Sequence, residues 1–122
     1  MQSLENKTII ITGAGGGIGA ATARLFASEG AQLVLTDIQQ EAVETVALSI
    51  GKQAIALAHD VTNETSWQQV MDKTIAHFGQ LHVLVNNAGI LHVGDVVNTV
   101  FDDWKRVQAV NSDGVFLGCK LA

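Results

Sequence analysis

The chain has 122 residues, of which 48% are hydrophobic and 16% are charged, and its formal net charge is −5. This length suits one domain with its own core, here residues 1–122, and the apolar content excludes a chain that is disordered for lack of hydrophobic residues. The acidic balance, with no basic cluster, argues against nucleic acid as a partner, and no apolar stretch is long enough to span a membrane.

The first predicted strand covers Lys7 to Thr12, an unbroken run dominated by β-branched residues that ends in a glycine cluster. Such a run is typical of a strand that is buried on both faces. From Gly17 onward the apolar residues recur at helical spacing, and Gly30 provides the stop. The predicted apolar face of this helix carries Ile18, Ala21, Leu25 and Phe26.

Strand and helix then alternate through the rest of the chain. The predicted elements are a strand Leu33–Leu35 closed by Asp37, a helix over about Gln40 to Ile50, a strand Ala54 to Ala58, a helix capped by Thr62 with Glu64 in its first turn, a strand Leu81 to Val85, and a last helix capped by Thr99 that bears Trp104, Val107 and Val115. The core face predicted for the third helix carries Trp67, Val70, Met71, Thr74, Ile75 and Phe78.

This alternation predicts the fold class. Strands and helices that alternate are joined by right-handed crossovers into a parallel sheet with helices on both faces. We therefore expect an α/β fold, a Rossmann-like doubly wound parallel sheet with strand order 3-2-1-4 that stops after the fourth strand and its following helix. The fourth strand would then form an apolar edge that invites association.

Two features of the sequence bear on the cell compartment. The N-terminus carries no apolar run of the kind that a secretion signal needs. The single cysteine, Cys119, cannot form an internal disulfide, which fits a reducing environment. We therefore expect a cytoplasmic protein.

The glycine cluster after the first strand is the leading candidate for a binding site. In open α/β sheets, ligands bind beyond the carboxyl ends of the strands, where the winding direction reverses. Gly13 would allow the tight turn, Gly17 would let the backbone approach a pyrophosphate, and Gly19 would let the helix pack closely on the strand. The N–H groups at the start of the helix would attract the phosphate charge. An ordinary strand-to-helix turn is the alternative, because a glycine pattern alone is weak evidence.

An acidic residue at the end of the second strand strengthens the nucleotide interpretation. Asp37 stands 24 positions after Gly13, close to the interval expected of a carboxylate that accepts hydrogen bonds from the adenosine ribose. A carboxylate there repels a 2′-phosphate, and neither Gly16 nor Ile38 supplies a cation. These residues predict NAD rather than NADP. A turn or helix-capping role for Asp37 is the alternative.

The segment Thr12-Gly13-x-x-x-Gly17-Ile18-Gly19, together with Asn86-Asn87-Ala88-Gly89 after the fourth strand, resembles the short-chain dehydrogenase/reductase family. The likeness covers essentially the whole chain and implies an NAD-dependent oxidoreductase that moves hydride between nicotinamide and an alcohol or ketone. The cofactor-binding residues so predicted are Gly13, Gly15, Gly16, Gly17, Ile18, Gly19, Asp37, Ile38, Asp60, Val61, Asn87, Ala88, Gly89 and Val110.

The resemblance also implies individual roles. Asp60 would hold the adenine amino group and the Val61 backbone would pair with the ring. Asn87, Ala88 and Gly89 would border the cofactor ribose. Val110 would lie near the nicotinamide half. A helix-entry cap for Asp60 and a self-satisfied loop for the two asparagines remain open as alternatives.

Asn111 is the one catalytic residue that the resemblance assigns to this chain. It lies four residues from both Val107 and Val115, which predicts a polar amide on an apolar helix face. The family places an asparagine here in a catalytic tetrad, where it helps to organise a proton-relay water. A core amide that bonds neighbouring backbone is the alternative.

The rest of the family's catalytic machinery is absent from the sequence. The family needs a Tyr-x-x-x-Lys motif and a serine on the fifth strand, but the chain contains no tyrosine. We therefore expect the N-terminal half of a dehydrogenase that is inactive by itself. The resemblance also implies a homo-oligomer for the full-length protein. Metal chemistry is not predicted, because the four histidines show no ligand spacing and are interpreted as surface or strand-end residues. A non-catalytic nucleotide-binding module and a Rossmann methyltransferase remain as alternatives.

Overall fold

A computed structural model describes residues 2–122 of the chain. Strands and helices alternate along it as the sequence predicts. The elements are β1 (Thr8–Thr12), α1 (Gly17–Ser28), β2 (Gln32–Asp37), α2 (Gln40–Ile50), β3 (Ala54–Ala58), α3 (Glu64–Phe78), β4 (Val83–Val85), α4 (Phe101–Gln108), a π-helical turn (Ala109–Asp113) and α5 (Gly114–Leu121). None of the helices described in residues 2–122 is long and apolar enough to cross a membrane.

The four strands form one parallel sheet in the order β3-β2-β1-β4, which confirms the predicted fold class. β1 lies inside the sheet and all five of its residues are buried, as its β-branched run indicates. Its carboxyl end lies beside those of β2 and β4, since Thr12 is in register with Thr36 and Ile11 with Val85. The loops that follow these strands therefore meet at one edge of the sheet.

Side chains that alternate along the strands fill two separate cores, one on each face of the sheet. Ile9, Ile11 and Leu33 belong to the core on one face, which Val43 of α2 helps to form. Ile10 and Val34 point to the other face and pack with α3, whose main core residues are Trp67, Val70 and Met71. This alternation is what a strand period of two produces in a sheet that is covered on both faces.

The face that α1 turns toward the sheet is only partly the predicted one, because Phe26 packs against the core but Ile18, Ala21 and Leu25 are exposed. Small residues make the contact: Gly19, Ala20 and Ala23 are buried, whereas Ile18 is 79% exposed and Leu25 is 60% exposed. The helix packs through residues without bulk because its first turn passes close to the backbone of the glycine turn. On α3 the predicted face is right except for Ile75, which is half exposed.

Two predicted helix caps are wrong because each helix begins one residue later than predicted. Asn63, not Thr62, caps α3 by accepting from the Ser66 N–H at 2.9 Å, while the Thr62 hydroxyl donates to Asp60 Oδ1 at 2.7 Å. α4 begins after Val100 with no side-chain cap, and the Thr99 hydroxyl donates to the Asp95 carbonyl at 2.6 Å.

β4 is shorter than the predicted strand Leu81 to Val85 because the ring of His82 intervenes. The His82 Nδ1 atom accepts from the Thr8 N–H at 2.9 Å, and the His82 N–H donates to the Thr8 carbonyl at 2.9 Å. The ladder with β1 therefore begins only at the pair Ile9 and Val83. β4 forms one edge of the sheet, as the sequence predicts.

The last predicted helix is interrupted. A π-helical turn from Ala109 to Asp113 separates α4 from α5, and Asn111 lies at its centre. Such wide turns occur mostly as short insertions in α-helices and are frequent at functional sites. α5 packs closely against α3, because a Cβ atom added to Gly118 would lie 2.8 Å from the ring of Trp67.

Candidate functional site

The glycine turn after β1 and the loop after β4 form one tightly fitted unit. The Thr12 hydroxyl oxygen accepts from the N–H groups of Asn87 and Ala88, each at 3.0 Å. The Asn87 side chain donates to the Gly13 carbonyl at 3.1 Å. Gly13 has φ of +64°, and a Cβ atom there would lie 2.8 Å from the Ala88 Cα atom. Glycine at position 13 is therefore required twice, by backbone conformation and by space.

Asp37 at the end of β2 is held by the glycine turn itself. Its Oδ2 atom accepts from the Gly15 N–H at 3.0 Å, and its Oδ1 atom accepts from the Gln39 N–H at 3.0 Å. Both bonds leave further lone pairs on the carboxylate, since each oxygen can accept more than one hydrogen bond. Asp37 is partly exposed and beside it Ile38 is 72% exposed. The carboxylate is thus fixed in place and still open to a ligand hydroxyl.

The N-terminus of α1 is open in the way an anion site requires. Gly16 precedes the helix in an extended conformation and provides no capping side chain, and the first turn contains no acidic residue. The first N–H groups of a helix have no partner within it and carry partial positive charge. Gly17, with φ of +54°, has no atom within 4 Å of the place a Cβ would take. A phosphate group fits this arrangement by charge and by space.

The segment after β3 offers a ligand the carboxylate of Asp60 and the backbone of Val61. Asp60 is exposed, and its Oδ1 atom accepts from both the N–H and the hydroxyl of Thr62, at 2.9 and 2.7 Å. Val61 is buried, and its carbonyl accepts from the indole N–H of Trp67 at 2.9 Å. Asp60 is not the helix-entry cap that was the alternative from the sequence, since Asn63 caps α3. It forms a local turn with Thr62 that leaves its second carboxylate oxygen available to a ligand.

His59 is a buried titratable group that the sequence pattern left among strand-end residues. It follows β3 directly, is 3% exposed, and its Nδ1 atom lies 2.8 Å from the Thr36 hydroxyl. Its ring meets Trp67 edge to face at 4.2 Å between centroids. Within residues 2–122 the buried Nε2 atom has no hydrogen-bond partner. Burial lowers the pKa of His59 from 6.5 to about 4, against a smaller opposing effect of the Asp60 charge.

This pKa predicts a dependence of stability on pH. The unfolded chain binds a proton at position 59 below about pH 6.5, but the folded chain does so only near pH 4. The contribution of neutral His59 to the free energy of unfolding is therefore complete above pH 6.5 and is lost as the pH falls toward 4. The shift corresponds to about 3 kcal/mol. We expect His59→Asn, whose amide can replace the bond to Thr36, to remove this part of the pH dependence in urea unfolding between pH 7.5 and 4.5. The exposed His77→Asn is the control, and an unchanged profile in His59→Asn would contradict the prediction.

Asn111 is not the buried amide that its spacing predicts, because its side chain is exposed in the π-helical turn. It bonds the backbone of Ile90 twice: its Oδ1 atom accepts from the Ile90 N–H at 2.8 Å and its Nδ2 atom donates to the Ile90 carbonyl at 2.9 Å. The wide turn carries the amide off the apolar face and toward the loop after β4. Its observed partners are backbone groups, as in the alternative interpretation from the sequence.

A cavity of about 630 Å³ opens at the carboxyl ends of the strands and brings most of these residues together. The predicted binding residues that line it are Gly13, Asp37, Ile38, Asp60, Val61, Asn87, Ala88, Gly89 and Val110. The predicted residues that do not line it are Gly15, Gly16, Gly17, Ile18 and Gly19, which lie at the start of α1 beside it, and Asn111, which bonds the lining residue Ile90.

Seven further lining residues were not predicted as binding residues from the sequence: Thr36, Gln39, His59, Thr62, Ile90, Arg106 and Ala109. Thr36 and His59 stand next to Asp37 and Asp60, so their place at strand ends was a signal that could have found them. Arg106 precedes Val110 by four residues and so shares its helix face, although the intervening turn is partly π-helical. Among residues 2–122 no cluster of His, Cys, Asp or Glu is arranged to hold a metal ion.

Comparisons with known proteins agree with this geometry. The family model described as short chain dehydrogenase matches residues 7–122. The chain is 43% identical over 119 residues to meso-2,3-butanediol dehydrogenase of Serratia marcescens, covering 97% of this chain and 47% of that protein. It is 36% identical over 117 residues to 3-beta-hydroxysteroid dehydrogenase of Comamonas testosteroni, covering 96% of this chain and 46% of that protein.

A solved structure gives the same result in three dimensions. The 3-ketoacyl-(acyl-carrier-protein) reductase of Brucella melitensis, crystallised in complex with NADH, superimposes with a TM-score of 0.95 at 37% identity and covers 97% of this chain and 49% of its own. The chain thus spans about half the length of the relatives it matches. The family model matches nearly the whole chain, and the superposition is close. We conclude that the chain belongs to the short-chain dehydrogenase family.

Proposed function

We infer that this chain forms the nucleotide-binding half of an oxidoreductase that uses NAD and interconverts an alcohol and a ketone. The observation that carries the proposal is the shared cavity, which Gly13 of the glycine turn, Asp37, Asp60 and the loop residues 87–89 line at one edge of the sheet. The related reductase crystallised with NADH supports the choice of cofactor, and the relatives named as dehydrogenases of a diol and a hydroxysteroid support the choice of substrate class.

The adenosine end is assigned to the residues that line the cavity. Asp37 accepts hydrogen bonds from the ribose hydroxyls, and its charge disfavours a 2′-phosphate at the same place. The open Asp60 oxygen accepts from the adenine amino group, and the Val61 backbone pairs with the ring. Val110 shares this cavity with Asp60 and Val61, so we assign it to the adenosine end rather than to the nicotinamide half.

The pyrophosphate is assigned to the start of α1. Its open N–H groups bind the charge, and Gly17 leaves room for the phosphate to approach the backbone. When bound, the cofactor supplies a hydride acceptor or donor at nicotinamide C4. Asn87, Ala88 and Gly89 border the ribose of the cofactor. The hydrogen bonds of Asn87 and Ala88 hold this loop close to the glycine turn. The reaction also needs a proton donor, and since these 122 residues contain no tyrosine, that group lies outside them.

Calorimetric titration with NAD, NADP and S-adenosylmethionine tests the proposal directly. We expect NAD to bind more tightly than NADP and S-adenosylmethionine not to bind measurably. Preference for S-adenosylmethionine would overturn the dehydrogenase assignment in favour of a methyltransferase. We also expect no turnover of alcohols by the 122 residues, so dehydrogenase activity from this chain would contradict the assignment of the proton donor.

Asn111→Ala tests whether the π-helical turn orders the loop after β4. The variant loses both bonds to the Ile90 backbone, so we expect faster hydrogen exchange at the Ile90 amide, measured by nuclear magnetic resonance. NAD binding should weaken by less than about tenfold, because two exposed hydrogen bonds contribute about 1 kcal/mol. Asn98→Ala, in the same loop but bonded to Asp95, is the control. Unchanged exchange at Ile90 would contradict this role.

A further inference from the structure

The cavity contains one permanent cation in its wall, and nothing assigned above uses it. Among the lining residues within 2–122 the charged side chains are Asp37, Asp60 and Arg106, and the buried His59 is neutral at pH 7 because its pKa is about 4. A guanidinium remains charged at every pH the protein meets. The same cavity is thus lined by one cation and two carboxylates.

Arg106 does not pair with either carboxylate. The ion pairs found in residues 2–122 join Lys105 to Asp102 and Lys120 to Glu64, and neither involves Arg106. Arg106 is exposed, lies in α4, and lines the cavity together with Ala109 and Val110 of the following turn. The guanidinium is therefore available to a ligand, and the neighbouring lining residues on the same segment, Ala109 and Val110, are apolar.

We propose that Arg106 is a further binding residue of this site, whose planar guanidinium stacks on the adenine base. The inference rests on the proposed function, since it takes the adenosine end of NAD as the occupant. An arginine plane stacks on flat aromatic rings and is more weakly hydrated than an ammonium group. The strip Asp60 to Thr62, which is assigned to the edge of the base, lines the same cavity as Arg106.

The position of Arg106 favours the base over a phosphate. The pyrophosphate belongs to the start of α1, and residues 15–19 do not line the cavity that Arg106 lines. A 2′-phosphate would meet the Asp37 carboxylate in the same cavity, which opposes its charge. A neutral, flat heterocycle meets neither objection.

Calorimetry with AMP, NAD and nicotinamide mononucleotide tests this assignment. We expect Arg106→Ala to weaken AMP and NAD binding by about fivefold each, the loss of one exposed stacking contact, and to leave nicotinamide mononucleotide unaffected. Arg24→Ala is the matched control, because Arg24 is an exposed helical arginine on α1 that does not line the cavity. Alanine favours the helix at both positions, and urea unfolding of each variant checks that the fold is retained.

Arg106→Lys separates stacking from simple charge. It keeps the positive charge but lacks the plane, so we expect it to bind AMP as weakly as Arg106→Ala does. In the wild-type protein we expect intermolecular nuclear Overhauser effects between the Arg106 side chain and the adenine protons. Two results would overturn stacking in favour of a phosphate contact. One is that Arg106→Lys binds AMP as tightly as the wild type and that this affinity falls more steeply with salt concentration. The other is that Arg106→Ala loses more affinity for NADP than for NAD.

The remaining outcomes distinguish the two proposals. A wild-type protein that binds neither AMP nor NAD overturns the proposed function and this inference with it. A wild-type protein that binds both, with affinities that Arg106→Ala leaves unchanged, overturns the role of Arg106 alone.

Discussion

Gly19→Ala is expected to destabilise the protein by about 2–3 kcal/mol, because the added methyl group meets atoms that cannot move aside. Its Cβ would lie 2.5 Å from the Asn87 Nδ2 atom and 2.6 Å from the Gly13 carbonyl oxygen. The carbonyl is backbone, and Asn87 is tied to it by a hydrogen bond. Relief therefore requires α1 to move away from the glycine turn, which opens the core under the helix. Urea unfolding monitored by circular dichroism measures the loss.

The neighbouring glycine supplies the control. A Cβ at Gly16 would have no atom within 4 Å, and its φ of −174° is open to any residue. Gly16→Ala should therefore unfold within about 0.5 kcal/mol of the wild type, as surface substitutions usually do. Equal losses for the two variants would mean that general stiffness of the turn, and not the contact with Asn87, explains the need for glycine at position 19.

Asp37→Ala is expected to bind NAD about thirtyfold more weakly than the wild type, as the loss of charged hydrogen bonds to the ribose predicts. Its affinity for NADP should fall less or rise, because the charge that opposes a 2′-phosphate is gone. The selectivity ratio of NAD to NADP, measured by calorimetry at fixed ionic strength, is therefore the informative quantity. It depends on charge at one position and not on the general stability of the chain.

Two comparisons make the result specific. Asp37→Asn keeps the size of the side chain but lacks the charge, and its one amide oxygen can accept from only one of the Gly15 and Gln39 N–H groups. It should therefore lose selectivity, while its remaining oxygen lets it retain more of the NAD affinity than Asp37→Ala does. Glu41→Ala removes an exposed acid from the first turn of α2 and should leave the ratio unchanged. A ratio in Asp37→Ala equal to that of the wild type would refute the role of this carboxylate.

Local patterns were enough to predict the elements whose ends are marked in the sequence itself. α2 and β3 begin and end where predicted, because Gly51 stops the helix with φ of 105° and a short apolar run follows. The parallel sheet also follows from the alternation of elements, and its strand order from the Rossmann-like interpretation of the glycine turn. These features depend on the chemistry of adjacent residues, and tertiary contacts did not override them.

The failures come from contacts between distant parts of the chain. The small residues of α1 face the sheet because of how closely its first turn passes Gly13 and Asn87, and helical periodicity carries no information on that distance. His59 is buried by Trp67 and bonded to Thr36, so its low pKa depends on three separate elements. In the site, Arg106 escaped notice because the pocket-facing side of α4 is fixed only once the helix has docked.

The π-helical turn from Ala109 to Asp113 gives the long final helix two different phases. α4 and the start of the turn place Arg106 and Val110 at the cavity, and α5 places Gly114 against Val61 and Gly118 against Trp67. Deleting one residue within the turn would restore α-helical winding and rotate everything after it by about 100°. The two glycines would leave their partners although no side chain of the core had changed. The number of residues in this turn therefore fixes the rotation of α5 relative to α4, so that one segment lines the ligand pocket while the other packs in the core.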